Sequence, residues 1–141
     1  MTYLVAFDGT DISETALLRA AEFADSTHER LVVVSVLPTD EDLAAEYGLG
    51  DDDGYDPGEA AQRLRKRVEN ISTDAEFRAE SVDAYAGKGR IATEIREVAR
   101  DVDADVVFVG SDNAGRVVQP VSSVGGAVAG GTDYDVFIAR S

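Results

Sequence analysis

Asp8-Gly9-Thr10 follows directly on the apolar run Tyr3-Leu4-Val5-Ala6-Phe7, and Gly9 stands where a buried strand turns sharply into a helix. A similar arrangement returns late in the chain as Val107-Phe108-Val109-Gly110-Ser111. In an open parallel sheet, ligands sit at the carboxyl ends of such strands. The strand ends at Asp8 and Ser111 are therefore the first candidates for where a ligand would bind. Asp8 is equally well suited to being an ordinary turn former before glycine. Ser122 and Ser123 offer two hydroxyls that could donate to a phosphate, although Ser122 also suits the cap of a helix.

Catalytic chemistry finds less support. No general base has a neighbour to poise it, and Asp8 and Asp112 are the only carboxylates placed at strand ends where a metal could be held. The single histidine, His28, stands beside Glu29 and Arg30 at a polar helix end and reads as solvent-exposed. With one histidine and no cysteine, a zinc site, a thiolate nucleophile or a histidine-based triad lacks its residues.

The elements that must position these groups alternate. After the first strand, Asp11 and Glu14 have the spacing of a capping box, and Ile12, Ala16, Ala20, Phe23 and Ala24 recur at helical spacing as far as Ser26-Thr27. Leu31-Val32-Val33-Val34-Ser35-Val36-Leu37, closed by Pro38, reads as a central strand buried on both faces. Thr39 to Tyr55, rich in Asp, Glu and Gly, reads as a long mobile connection with one helical turn around Leu43 to Glu46.

Asp56-Pro57-Gly58-Glu59 opens a second helix with the stripe Ala60, Ala61, Leu64, Val68 and Ile71. Glu76 to Ala86 is expected as an edge strand, Gly87-Lys88-Gly89 as a turn, and Ile91, Ile95, Val98 and Ala99 as one face of a third helix. Asp105 to Val109 is a further buried strand, Val121 to Ala129 a weak glycine-laden helix, and Tyr134 to Ala139 the last strand. Five strands alternating with four helices define an α/β fold with a doubly wound parallel sheet, and right-handed crossovers leave few arrangements of it.

Length and charge bound the function. A chain of 141 residues with 44% hydrophobic content is one domain, 1–141, with a real core. No apolar stretch is long enough to cross a bilayer, and the amino terminus lacks a signal-peptide pattern, so a cytoplasmic protein is expected. Twenty-eight acidic residues against thirteen basic ones give a net charge of −15, and Lys66 and Lys88 are the only lysines. Nucleic acid is a poor partner for that surface. The one basic cluster, Arg63, Arg65, Lys66 and Arg67, reads as the solvated side of its helix. An acidic surface with so little lysine resembles that of proteins from salt-in halophiles, where a Debye length of about 3 Å in molar salt screens the self-repulsion. The expected source is a halophilic archaeon.

Taken in order, these pieces resemble the universal stress protein family from end to end: the strand into Asp8-Gly9-Thr10, the strand ending at Val36, the excursion after Pro38, Gly87-Lys88-Gly89, Val109-Gly110-Ser111 and the closing Val136-Phe137-Ile138-Ala139-Arg140. The resemblance implies a Rossmann-like sheet of order 3-2-1-4-5, helices on both faces, and a homodimer through the last strand, Tyr134 to Ala139. For one branch of the family it also implies an ATP site, in which Gly-x-x-Gly and a later Gly-Ser or Gly-Thr wrap backbone amides round the phosphates.

On that pattern Asp8 corresponds to the aspartate near the adenine and Val36 to the position whose backbone contacts the base. Gly110 and Ser111 match the start of the phosphate loop, Asn113 replaces its second glycine, and Ser122-Ser123 replaces the Gly-Ser pair after a spacer one residue shorter than the family's. The expectation is a small stress-response protein with a degraded adenine-nucleotide site, holding ATP or AMP weakly or not at all. A slow ATPase is the alternative. A phospho-acceptor receiver would need a second acid beside Asp8 and a lysine beyond Lys88, and a flavodoxin-like site a Thr/Gly-rich loop where Asp8 and Asp11 bring negative charge.

Overall fold

Leu31 to Leu37 alternates its side chains between two apolar environments, and a run that must be buried on both sides can do so only as an inner strand. It forms most of β2 (Arg30–Pro38), which lies between β1 (Thr2–Ala6) and β3 (Glu76–Val82). On the other side of β1 come β4 (Val106–Gly110) and β5 (Asp135–Ala139), giving one parallel sheet of order β3-β2-β1-β4-β5. The computed structural model describes residues 1–39, 56–82, 89–111 and 134–140, and three helices lie among them: α1 (Asp11–Thr27), α2 (Pro57–Ile71) and α3 (Gly89–Asp101). None of them is long and apolar enough to cross a membrane.

The strand alternation sorts the core into two layers. Tyr3, Val5, Phe7, Val33, Leu37 and Phe108 face α1 and α2, meeting Ala16, Leu17, Ala20, Leu64 and Val68. Leu4, Ala6, Val32, Val34, Val107 and Val109 face α3, meeting Ile95, Val98 and Ala99. The expected doubly wound sheet with helices on both faces is thus the observed one.

Local departures from the sequence reading have physical causes. The amino-terminal cap of α1 is Thr10, not Asp11: the Ser13 amide donates to Thr10 Oγ1 at 3.3 Å, so Asp11 falls in the first turn and Glu14 is released for a tertiary contact. Phe23, expected in the buried stripe, is 46% exposed, while Ser13 and Leu17 are buried in its stead. Helix α2 follows expectation, with Asp56 as its cap, Pro57 at its first position and Ala60, Leu64 and Val68 buried. His28 closes α1 in the left-handed region at φ 57° and is exposed, as its polar neighbours imply. The expected acidic connection beyond Thr39, the strand end at residues 83–86, the turn at Gly87-Lys88 and the helix Val121 to Ala129 lie outside the described residues.

At the edge where the strands begin, Arg30 of β2 grips Glu76 of β3 through two hydrogen bonds, Nε to Oε2 and Nη2 to Oε1. The bonded guanidinium holds the Glu76 carboxyl below the ordinary glutamate range. A carboxyl with a depressed folded-state pKa contributes stability at pH values above its unfolded pKa, and that contribution fades as the pH falls through the folded value. Glu76→Gln is therefore expected to lower the urea midpoint slightly at neutral pH, and by less at about pH 3, below the ordinary carboxylate range. An equal difference between the two proteins at both pH values would contradict this origin of the pair's effect.

Candidate functional site

The site begins with how β1 leaves the sheet. The Phe7 amide still bonds to the Val34 carbonyl at 2.9 Å, and the Phe7 carbonyl accepts from the hydroxyl of Ser35, a buried serine in an otherwise apolar strand, at 2.6 Å. The chain then turns at Gly9, whose φ of +83° suits a residue without a Cβ. Space is tight as well, since a Cβ at Gly9 would lie 3.0 Å from Leu64 Cδ2 and 3.1 Å from Arg67 Nη1, and both side-chain ends would have to shift.

A set of hydrogen bonds shapes this loop. Asp8 Oδ1 accepts from the Thr10 amide at 3.0 Å and from the Thr10 hydroxyl at 2.6 Å, which is an Asx turn. Thr10 Oγ1 in turn accepts from the Ser13 amide, the buried Ser13 hydroxyl donates to the Thr10 carbonyl at 3.0 Å, and the Asp8 amide donates to Ser13 Oγ at 3.3 Å. The two readings of Asp8 are therefore not exclusive: it forms the turn, and the turn presents its carboxyl group at the carboxyl edge of the sheet.

Register places the other candidates level with it. Ala6 pairs with Val34, so Asp8 and Val36, each two residues further on, stand at one height. Val5 pairs with Phe108, so Asp8 and Ser111, each three further on, do the same. Val36 packs on the α3 side of the sheet against the layer of Ala6, Val34 and Val109, while Asp8 and Ser111 lie just beyond the ends of β1 and β4. Between β1 and β4 the strand order reverses direction, which is where open α/β sheets carry their ligands.

Val36 is half-buried rather than wholly core, leaving part of an apolar wall beside the crevice. Gly110 is buried at the end of β4, and Ser111 is exposed, with its amide donated to the Ala139 carbonyl at 2.9 Å. That amide is consumed by the sheet and is lost as a phosphate donor. Asn113, Ser122 and Ser123, like Asp112, lie outside the described residues. Two surface hollows, one lined by Asp25, His28, Arg30 and Glu76 and the other by Arg100, Asp103, Asp105 and Tyr134, lie at the opposite edge of the sheet, and neither is lined by Asp8, Val36, Gly110 or Ser111.

One residue beside the site corrects the sequence reading. Arg67, expected on the solvated side of α2 with Arg63, Arg65 and Lys66, instead turns toward the loop. Its Nη1 donates to the Gly9 carbonyl at 2.6 Å, its Nη2 donates to Glu14 Oε2 at 2.7 Å, and its Cζ stands 5.5 Å from the centre of the Phe7 ring. A sequence signal was available: Arg67 falls at the 3–4 spacing of Ala60, Leu64 and Ile71, on the border of the buried stripe.

A doubly wound parallel sheet of order β3-β2-β1-β4-β5 with helices on both faces defines a class of α/β proteins. The universal stress protein family profile matches residues 1–140, and the chain belongs to that family. Among solved structures, a universal stress protein in complex with cAMP is 27% identical over 99% of this chain and 96% of its own, with a TM-score of 0.58. The universal stress protein from Archaeoglobus fulgidus in complex with dAMP is 20% identical, with coverage of 99% and 97% and a TM-score of 0.61. A family member from Burkholderia pseudomallei is 22% identical, with coverage of 99% and 96% and a TM-score of 0.57. No curated protein matches the chain.

Proposed function

We propose that this universal stress protein is a cytoplasmic stress-response regulator that binds an adenine nucleotide at the crevice between β1 and β4. Occupancy changes its partners or its assembly, without turnover as its purpose. The observation that carries the reading is the level placement of Asp8, Val36 and Ser111 at the switch point of the sheet. The cAMP complex of the 27% identical relative supports an adenine ligand.

The nucleoside end of such a ligand has what it needs here: a carboxyl group held by the Asx turn to accept from an exocyclic amine, and the half-buried Val36 as an apolar wall. The phosphate end is poorer. The Ser111 amide is spent on Ala139, and in sequence the stretch from Gly110 to Ser123 departs from the glycine pattern that wraps a triphosphate. A single phosphate therefore loses less than three, and AMP or a cyclic monophosphate is preferred to ATP.

The wider expectations belong to the same reading. One unit over the whole chain fits the family match over residues 1–140. A homodimer through Tyr134 to Ala139 would cover β5, a sheet edge with Ile138 exposed and Val136 and Phe137 half-buried, by isologous pairing. The charge of −15 suits a halophilic source and disfavours a nucleic-acid partner. Titration calorimetry of the intact protein in molar KCl with AMP, cAMP and ATP tests the proposal. Binding of a monophosphate with ATP weaker is expected. No heat from any of the three at millimolar ligand would remove the nucleotide reading, and ATP as the tightest ligand would remove the preference.

A further inference from the structure

The geometry points to Arg67 as the residue that positions Asp8 for its ligand. This inference rests on the nucleotide reading above and adds a residue from a different element, 58 positions along the chain from the loop it holds. Asp8 is bracketed by Phe7 and Gly9, and one guanidinium grips both neighbours: the Phe7 ring lies under its Cζ, and the Gly9 carbonyl takes its Nη1.

The Gly9 carbonyl needs such a partner, because the helical ladder of α1 starts one residue later, with the Glu14 amide bonded to the Thr10 carbonyl. Glu14, freed from a capping role by Thr10, holds the second prong of the guanidinium and fixes its plane. Phe7 belongs to the core layer under α1 and α2, and Glu14 is on α1, so Arg67 grips the loop from that side without bonding the Asp8 carboxylate itself. Arg67 is thereby a positioning residue, not a ligand contact.

The chemistry requires arginine in particular. A lysine ammonium is a point donor on a flexible stem and cannot bond the Gly9 carbonyl, bond Glu14 in the same plane and stack on Phe7 at once. Arg65 provides an internal control: it stands on the same helix, over the Phe77 ring at 5.3 Å, and its recorded aromatic contact is far from the loop in sequence and on β3.

The test compares the full-length protein with Arg67→Gln, Arg67→Lys and Arg65→Gln in molar KCl. AMP affinity is read by calorimetry, and amide hydrogen exchange at Thr10 and Ser13 is read by NMR in the absence of ligand. Both Arg67 variants are expected to weaken AMP binding by roughly fivefold to twentyfold and to speed exchange at both amides, while Arg65→Gln leaves both unchanged. Arg67→Lys keeps the charge and the aliphatic stem, so it serves if the glutamine variant fails to fold. Parent-like AMP affinity in a folded Arg67 variant would overturn the inference, as would a loss of affinity with exchange unaltered or an equal loss in Arg65→Gln. Absence of AMP binding by the parent overturns the nucleotide reading instead, and the exchange rates then decide alone whether Arg67 holds the loop.

Discussion

Replacing Phe108 by alanine is expected to lower the unfolding free energy by about 3–5 kcal/mol, a third or more of the ~5–15 kcal/mol typical of a domain. Phe108 is 2% exposed in the middle of β4, and three rings converge on it: Tyr3 edge-on at 5.7 Å, Phe137 at 5.1 Å and Phe23 at 5.8 Å between centroids. Removing the central ring breaks all three contacts and leaves a cavity under α1. Part of that cavity can close, because Phe23 is nearly half exposed and has room to move.

The same exposure sets a contrast within the experiment. Phe23→Ala deletes a ring of the same size with much of its surface already in water, and is expected to cost about 1 kcal/mol or less. Urea unfolding of both variants in molar KCl measures the pair. Equal losses would mean that α1 depends on Phe23 as a true core residue, as the helical spacing first implied.

The legibility of this chain follows from how local each signal is. The β-branched run Leu31 to Leu37 marks β2 because its partners lie on both faces whatever the topology, and β1 and β4 are legible for the same reason, whereas β5 at the edge is marked by its short apolar run alone. Asp56-Pro57 marks the start of α2 because capping is a contact between residues two or three apart. The capping of α1 is harder, since Thr10 and Asp11 are adjacent residues of similar capping propensity. The choice falls to Thr10 because Asp8 orients its hydroxyl.

Phe23 misleads because helical spacing gives a face but not its width. The small residues Ala16, Ala20 and Ala24 let α1 sit close to the sheet, and the bulkier side chain is displaced to the rim. Arg67 is the least legible. Its stripe position is visible, but its partners are a carbonyl and a carboxylate from another part of the chain, and no local pattern encodes them. Short-range signals therefore reach the turn at Asp8 and the strand at Val36, whereas they do not reach Arg67, which bonds that loop.

The double substitution Asn113→Gly with Ser122→Gly is expected to strengthen ATP binding by about 1–3 kcal/mol, the contribution of one or two recovered charge-assisted backbone hydrogen bonds. The family resemblance puts both residues at glycine positions of a phosphate loop, where a Cβ keeps backbone amides from approaching an anion. The neighbouring amide of Ser111 cannot compensate, being committed to the Ala139 carbonyl at 2.9 Å. On the proposed reading AMP gains less from the change, since it presents a single phosphate and would draw more of its affinity from contacts of the base beside Asp8 and Val36. The ratio of ATP to AMP affinity should thus rise in the variant while AMP affinity shifts little. Calorimetry in molar KCl on the parent and the double variant reads this ratio directly, with the salt screening the net charge of −15. A parent that already binds ATP as tightly as the variant would show that Asn113 and the serines are competent phosphate ligands, and that the glycine pattern is not what this loop requires.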